Sequence, residues 1–226
     1  MKYQTISYPL THQSPVHKGL LTPSILPNSQ IREGKSYNSF LIQVENHSGT
    51  HVDAPAHFLP HGKKIGEYHP EELIFTHPLI LDCSKDDNEL ITLEDLQGVD
   101  LNGVDCLFFC TGFGEYRDED LERYLTQNPG VSPDVVCFIR ERFPSVRCLG
   151  TDTISISSYQ KADLGIKAHL NAFKEGPGGP LLLVEDLNLE VLEDLDQVDE
   201  VLVFPWQIED VDSAPCTVLA RLKNLQ

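Results

Sequence analysis

The sequence has no run of about 18 or more apolar residues, the length that a membrane-spanning helix requires. Its N-terminus, MKYQTISYPLTHQS, also lacks the apolar core of a signal peptide. A soluble, cytoplasmic protein is therefore expected.

Basic residues are few: 17 Lys and Arg against 35 Asp and Glu give a net charge of -18. Because nucleic acids and anionic membranes are bound through clustered Lys and Arg, neither is expected as a partner.

The six cysteines form no CxxC pair and lie mostly in apolar runs such as DCLFFC and VVCFIR. This layout is not that of a disulfide scaffold, and buried, reduced thiols are expected. With 226 residues the chain can bury a large core, so one domain over 1–226 is the simplest prediction.

The most informative segment is HSGTHVDAPAH at 47–57, which holds three histidines and one aspartate in eleven positions. Imidazole nitrogens and carboxylate oxygens are the ligands that zinc and similar divalent metals prefer. His47, His51, Asp53 and His57 therefore predict a metal site with one histidine to spare for proton transfer. The histidines outside this context at 61, 69 and 77 are interpreted as surface or loop residues.

The spacing within this segment supports the same prediction. Residues two apart on a strand point the same way, so His51 and Asp53 can reach one ion. His47 lies four residues earlier, about 13 Å along an extended chain, so the backbone must bend, and Gly49 permits that bend. Pro55 cannot donate to a sheet and predicts the end of the strand, which frees His57 to turn back toward the ion.

Strands and helices alternate along the chain, which indicates an α/β protein. Strands are predicted at 39–46, 78–83, 104–111, 145–152, 180–186, 200–206 and 216–222. Helices are predicted at 91–97, 119–127, 132–143 and 161–176. The last helix would place His169 on its inward face, where a histidine is most often a satisfied core residue. Glu185, however, ends an apolar strand where an unpaired carboxylate is costly to bury, so both a core and a ligand role stay open for this pair.

The segment HSGTHVDAPAHF resembles the signature of the putative cyclase family, which includes bacterial kynurenine formamidase and isatin hydrolase. The segments ISYPLTHQSPVHKG, LGTDTISIS, LLLVEDLNLEVL and DSAPCTVLARL resemble further family segments in the same order. The resemblance implies an α/β fold in a single domain, with a mixed, partly barrel-like sheet flanked by helices, of the swivelling β/β/α type. It also implies a homodimer or a higher homo-oligomer.

The resemblance also implies roles for individual residues. His57 would be the catalytic proton donor and acceptor, and Glu185 would lie between two ions that share Asp53. The implied metal ligands are His47, His51, Asp53, His169 and Glu185. The ion is usually zinc in this family and manganese in isatin hydrolase, and one or two ions are expected.

The implied reaction is hydrolysis of a formamide, amide, lactam or ester bond of a small metabolite, since a bound divalent ion activates water and polarises a carbonyl. His17 stands where kynurenine formamidases carry a substrate-contacting tryptophan, and the only tryptophan is Trp206. Two alternatives are a non-catalytic metal- or metabolite-binding protein of the same fold and a cysteine-dependent enzyme. The second would use Cys216, which is expected to be exposed beside Pro215.

Overall fold

The computed structural model describes residues 2–223. Its strands are β1 (Lys2–Thr5), β2 (Ser24–Ser29), β3 (Ser39–Gln43), β4 (His51–Asp53), β5 (Ile74–Phe75), β6 (Pro78–Asp82), β7 (Leu90–Ile91), β8 (Cys106–Cys110), β9 (Gly130–Val131), β10 (Cys148–Thr151), β11 (Leu182–Glu185), β12 (Val198–Pro205) and β13 (Ser213–Leu222). Its α-helices are α1 (Tyr116–Glu119), α2 (Leu121–Thr126), α3 (Pro133–Arg142) and α4 (Ala162–Phe173). Short 3-10 turns include Pro55–His57.

Nine strands form one mixed sheet in the order β5, β12, β13, β4, β11, β10, β8, β6, with β1 also paired to β13. Strands β6, β8, β10 and β11 run parallel to one another, and β4 pairs antiparallel with both β11 and β13. The three-residue strand β4 therefore joins the parallel half to the antiparallel half. Because β12 also contacts β6, the sheet curls toward a barrel. The predicted fold class is confirmed.

Three of the parallel strands, β8, β10 and β11, are buried on both faces. On β8, Cys106 and Phe108 pack into the core cluster inside the curled sheet, whereas Leu107 and Phe109 pack into the cluster formed with α3 and α4. Successive side chains of a strand point to opposite faces, so a strand covered on both sides needs a continuous apolar run. This explains why CLFFC carries no alternating polar residues.

The same alternation decides which residues of β4 face the helices. Val52 on β4 and Val184 on β11 pack into the interior of the curled sheet. Their neighbours His51, Asp53 and Glu185 consequently point to the other face, which α4 covers. His51 is the direct register partner of Glu185 across the β4–β11 ladder, so these two side chains lie side by side.

All seven predicted strands are present. Those predicted at 39–46 and 78–83 end earlier, those at 104–111, 145–152 and 180–186 are shorter at both ends, and the last two begin before the predicted start. The helices predicted at 119–127, 132–143 and 161–176 correspond to α2, α3 and α4, and Ser132 caps α3 by accepting a hydrogen bond from Asp134 N. The helix predicted at 91–97 is wrong: the segment forms successive turns, in which Asp95, Leu96 and Gln97 bond to the carbonyls three residues earlier. Side-chain hydrogen bonds between Thr92 and Asp95 close the first turn, and the backbone bonds run three residues back rather than the four of an α-helix.

No helix in the described range of 2–223 has both the length and the apolar character needed to cross a bilayer. All six cysteines are free, and four of them are buried.

Gly165 allows α4 to lie against the loop that holds Ser157. A Cβ at this glycine would overlap the Ser157 side chain. Replacing Gly165 with Ala should therefore lower the free energy of unfolding by about 1–3 kcal/mol, the usual cost of overpacking. At a solvent-exposed helix position the same change would instead raise the free energy of unfolding by about 1 kcal/mol. The sign of the change therefore shows whether the contact with Ser157 limits this position.

Urea denaturation measures this change. The double variant Gly165→Ala with Ser157→Gly is the control, because it removes the overlapping side chain and should recover most of the loss. A single Gly165→Ala variant more stable than wild type would show that the contact does not limit the position of α4.

Candidate active site

One cavity of about 690 Å³ brings together all six residues that the sequence selects. They come from three parts of the chain: the segment at 47–57, helix α4 and strand β11. The residues are His47, His51, Asp53, His57, His169 and Glu185. The KEGPGGP loop at 174–180 separates α4 from β11 along the chain. Nε2 of His169 nevertheless lies 3.6 Å from Oε1 of Glu185.

The backbone of the 47–57 segment bends at Gly49 and at Pro55, the two places that the sequence predicts. Gly49 has a φ of +60°, in the left-handed region that favours glycine. This bend places Nδ1 of His47 2.9 Å from Oδ1 of Asp53. After β4, Pro55 begins the 3-10 turn that carries His57 back to the cavity, where its ring centroid lies 4.2 Å from that of His47.

Asp53 holds a buried oxygen that is not satisfied by the protein. Its Oδ1 lies 2.9 Å from Nδ1 of His47 and 3.5 Å from Nε2 of His51, but it accepts no hydrogen bond of good geometry. Ligand atoms on a tetrahedral zinc at about 2.0–2.1 Å are separated by about 3.3 Å. The three side chains are therefore spaced as ligands of one cation would be, and the donor set fits a divalent metal.

Backbone carbonyls fix the orientation of two of the imidazoles. Nδ1 of His51 lies 2.8 Å from the carbonyl oxygen of Gly49, and Nδ1 of His169 lies 2.9 Å from that of Gly165. Since a carbonyl only accepts hydrogen bonds, each Nδ1 carries the proton and donates. The Nε2 atoms are left facing Glu185, at 3.4 Å from His51 and 3.6 Å from His169. This is how proteins orient histidines that bind a metal.

The charges in the cavity are mutually dependent. Burial opposes ionisation of Asp53 and Glu185, but the neighbouring imidazoles hold the pKa of both carboxyls below their usual values. Burial likewise opposes protonation of His51 and His169, but the carboxylates raise the pKa of both imidazoles. A proton or a metal ion must therefore lie between the nitrogens and the oxygens.

Asp212 is a residue of this site that the sequence reasoning did not select. Its Oδ2 accepts hydrogen bonds from Nε2 of His47 at 3.0 Å and from Nδ1 of His57 at 2.8 Å. Its Oδ1 accepts from the Asn46 amide at 2.8 Å. The two histidine hydrogen bonds lower the pKa of Asp212, which is ionised at neutral pH. Asp212 thus leaves Nδ1 of His47 free toward Asp53 and Nε2 of His57 free in the cavity.

Asp212 is the first residue of the DSAPC segment, whose sequence indicates only the start of a closing strand. Asp212 immediately precedes β13, and Ser213 is the register partner of Asp53 across the β4–β13 ladder. The pairing of these two distant strands places Asp212 beside the 47–57 segment, and it cannot be derived from local spacing.

Three sets of donor atoms among the described residues converge within 4.8 Å. The sets are His47, His51 and Asp53; His47, His57 and Asp212; and Asp53, His57 and His169. His57 belongs to two of them, so its position suits either a ligand or a proton acceptor beside an ion.

The structure also places the remaining candidates. His17 lines the cavity, whereas Trp206 does not and is surface-exposed. The expectation that Cys216 is exposed is wrong: it is only 7% exposed, and burial raises the pKa of its thiol well above the usual value. A neutral, buried thiol is a poor nucleophile. The three histidines interpreted as surface residues are exposed.

The family model described as putative cyclase matches residues 4–158, which is more than half of the chain. The chain belongs to the putative cyclase family. A kynurenine formamidase of Bacillus cereus is 27% identical over 190 residues, which are 84% of this cyclase-family chain and 82% of the relative. An uncharacterized protein of Haemophilus influenzae is 31% identical over 124 residues, which are 54% of this chain and 87% of the relative.

Among solved structures, isatin hydrolase A from Labrenzia aggregata bound to benzyl benzoate superposes with a TM-score of 0.80. The superposition covers 99% of this chain and 94% of the hydrolase at 22% sequence identity, and it shows that the two proteins share a fold.

Asp212 should be required for tight metal binding because it orients His47. The variant Asp212→Asn should bind zinc about 10–100-fold more weakly, the usual effect of removing a group that orients a metal-binding histidine. Competition with a chromophoric chelator measures this affinity. Asp210→Asn is the matched control, since Asp210 is an exposed neighbour that pairs with Lys64. Equal affinity in both variants would contradict a role for Asp212 in orienting His47.

The metal-free protein should lose stability as the pH rises above neutrality. Burial lowers the pKa of His47, but the hydrogen bond to Asp212 and the adjacent negative charge of Asp53 outweigh this effect and raise the pKa from 6.5 to about 10. A group whose pKa is raised by folding stabilises the protein fully below 6.5, and this contribution disappears as the pH approaches 10.

Urea denaturation with excess chelator between these two pH values measures the slope. The variant His47→Gln, which does not titrate, should show a shallower loss of stability than wild type. Parallel slopes for the two proteins would argue against a charged His47 in the metal-free state.

Proposed function

We propose that this protein is a metal-dependent hydrolase that cleaves a formamide, amide, lactam or ester bond of a small, neutral metabolite with an apolar or aromatic group. The observation that carries the proposal is the unsatisfied, buried Oδ1 of Asp53, which lies beside His47 and His51 in a cavity large enough for a small molecule. Relatives named kynurenine formamidase and isatin hydrolase support this reaction class.

The residues that would hold the metal are His47, His51, Asp53, His169 and Glu185. Imidazole and carboxylate donors favour zinc, and manganese is also compatible with this set. Because the three histidines surround the carboxylates of Asp53 and Glu185, this set would accommodate one ion or two. When bound, such an ion would polarise the carbonyl of the substrate and lower the pKa of water.

His57 would act as the general base and acid. Because its Nδ1 donates to the ionised Asp212, its Nε2 is the nitrogen that can accept a proton in the cavity. Asp212 also stabilises the imidazolium that forms after that transfer, as an aspartate does in other hydrolytic sites. The same Nε2–H can then donate to the leaving nitrogen or oxygen of the substrate.

The walls of the cavity indicate the kind of substrate. Phe58, Ile154 and Ile166 contribute apolar surface, and the Phe58 ring stacks on His169 with a centroid distance of 4.6 Å. No lysine or arginine is among the described residues that line the cavity. A substrate with an apolar or aromatic group and no carboxylate therefore fits better than an amino acid.

Replacing His57 with Ala should lower kcat/KM by about a hundredfold or more, the usual scale of general acid-base catalysis. Metal content, measured by elemental analysis of the purified protein, should stay the same because the five proposed ligands are intact. His61→Ala is the matched control, since His61 is exposed. Loss of metal together with activity would make His57 a ligand, and unchanged activity would remove it from the mechanism.

The substrate class can be tested by comparing three uncharged compounds with one that carries charged groups. Formanilide, isatin and phenyl acetate should be hydrolysed with a higher kcat/KM than N-formylkynurenine, whose amino-acid head is charged. Chelation should abolish hydrolysis of all four, and zinc or manganese should restore it. A zinc-loaded protein that hydrolyses none of them would favour a metal- or metabolite-binding role instead.

A further inference from the structure

Asp186 directly follows the proposed metal ligand Glu185, and two of its features are costly for the fold. Its side chain is completely buried, although it is a carboxylate. Its φ is +56°, in the left-handed region that residues other than glycine seldom adopt. Residues with such backbone strain are concentrated at functional sites, where the surrounding structure holds them in place.

Helices α1 and α2 anchor the Asp186 carboxylate. Its Oδ1 accepts hydrogen bonds of 2.7 Å from Nε of Arg117 and from the hydroxyl of Tyr124, and its Oδ2 accepts one of 2.9 Å from Nη2 of Arg117. Arg117 is only 8% exposed, and its guanidinium lies 3.7 Å from the centroid of the Tyr8 ring. Because the guanidinium binds both carboxylate oxygens, it fixes the direction of the carboxylate as well as its position.

The main chain of Asp186 connects this anchor to strand β4. Its carbonyl oxygen accepts a hydrogen bond from the hydroxyl of Thr50, the residue before His51. The Thr50 hydroxyl in turn accepts from the amide of Tyr8 at 2.9 Å. The Tyr8 ring lies on Arg117, so the contacts close a ring of four residues from distant parts of the chain. This ring fastens the end of β11 to the start of β4.

The amide of Asp186 provides a further connection, to the loop at 153–156. It donates a hydrogen bond of 2.8 Å to the carbonyl oxygen of Thr153. Two groups of the same loop, the Ser155 hydroxyl and the Ile156 amide, donate to Oε1 of Glu185 at 2.9 and 2.8 Å. A shift of Asp186 would therefore move Glu185 relative to the groups that orient it.

A buried ion pair of this kind is not an efficient way to stabilise a fold. Apolar residues of similar volume often stabilise a protein equally well or better, because no charge has to leave water. An ion pair of fixed geometry instead defines a direction. Direction matters at a metal site, since the ligands must be held within about 0.5 Å of the geometry that the ion requires.

We propose that Asp186 is a positioning residue of the metal site: held by Arg117 and Tyr124, it fixes the backbone at Glu185 and His51 and so sets the affinity for the ion. The inference rests on the metal-dependent function proposed above. Asp186 does not line the cavity and acts only through the residues that it holds.

Zinc affinity and urea denaturation together test this role. Asp186→Asn should weaken zinc binding about 10–100-fold, the usual effect of removing a group that supports a metal ligand. Asparagine also tolerates the left-handed conformation, so the substitution changes the charge and not the backbone preference. Stability should fall as well, because Arg117 is left buried without its partner.

A double variant separates positioning from stability. Asp186→Asn with Arg117→Met removes the unpaired charge and should recover stability, while zinc binding stays weak. A pair with a merely structural role would recover both together. Competition with a chromophoric chelator measures the affinity, and the visible absorption spectrum of the cobalt(II)-loaded protein, which depends on ligand geometry, should differ from that of wild type.

The matched control is the ion pair of Arg123 with Asp87, which is about one third exposed. It has the same Nε to Oδ1 hydrogen bond, at 2.8 Å, and its guanidinium also lies on an aromatic ring, that of Tyr116. Neither residue adjoins a proposed metal ligand in the chain. Asp87→Asn with Arg123→Met should therefore keep the zinc affinity and the cobalt spectrum of wild type.

The outcomes distinguish this role from the proposed function. A wild type that binds no zinc would overturn the proposed function and the positioning role with it. If wild type binds zinc and the folded double variant of Asp186 and Arg117 binds it equally tightly, only the positioning role is overturned. An equal loss of affinity in the control pair would overturn it too, since any ion pair would then have the same effect.

Discussion

Asp53 and Glu185 are two buried carboxylates on the same face of the adjacent strands β4 and β11, two register positions apart, and their need for positive charge governs the rest of the site. Burying an ionised carboxylate without a partner is very costly. Elsewhere in the protein this cost is met by fixed groups: Asp186 is bound by Arg117, and Asp152 accepts hydrogen bonds from the backbone around Thr111. Glu185 accepts hydrogen bonds from the Ser155 hydroxyl and from Ile156 N, but the neighbouring side chains that can carry positive charge are imidazoles. The balancing charge is therefore a proton or a metal cation.

The positions of these residues follow from the alternation of side chains on strands. One face of β4 and β11 is apolar and completes the interior of the curled sheet, so the polar residues of both strands share the opposite face. Helix α4 covers that face and adds His169, held by the carbonyl of Gly165. The register between β4 and β11 therefore determines both the packing of the core and the geometry of the site.

Much of this could be predicted from the sequence because it is encoded locally. Gly49 and Pro55 determine how the 47–57 segment bends, and the apolar runs identify the strands. Long-range pairing could not be predicted in the same way. Asp212 comes close to His47 because β13 pairs with β4. The segment at 91–97 has a helical composition, but the pairing of Ile91 with the distant Val131 holds its first residue in a strand, and the rest closes in turns. The strand predicted at 39–46 ends at Gln43 and is exposed, since within residues 2–223 it pairs only with β2.

The histidines of the site differ in what orients them, and this difference bears on how the protein can change over evolution. His51 and His169 are held by main-chain carbonyls, which no side-chain replacement removes. His47 and His57 both depend on one replaceable carboxylate, that of Asp212. A single replacement of Asp212 would thus disturb the proposed proton acceptor His57 and leave the orientation of His51 and His169 unchanged. In this fold, few mutational steps would separate an enzyme from a protein that only binds ions.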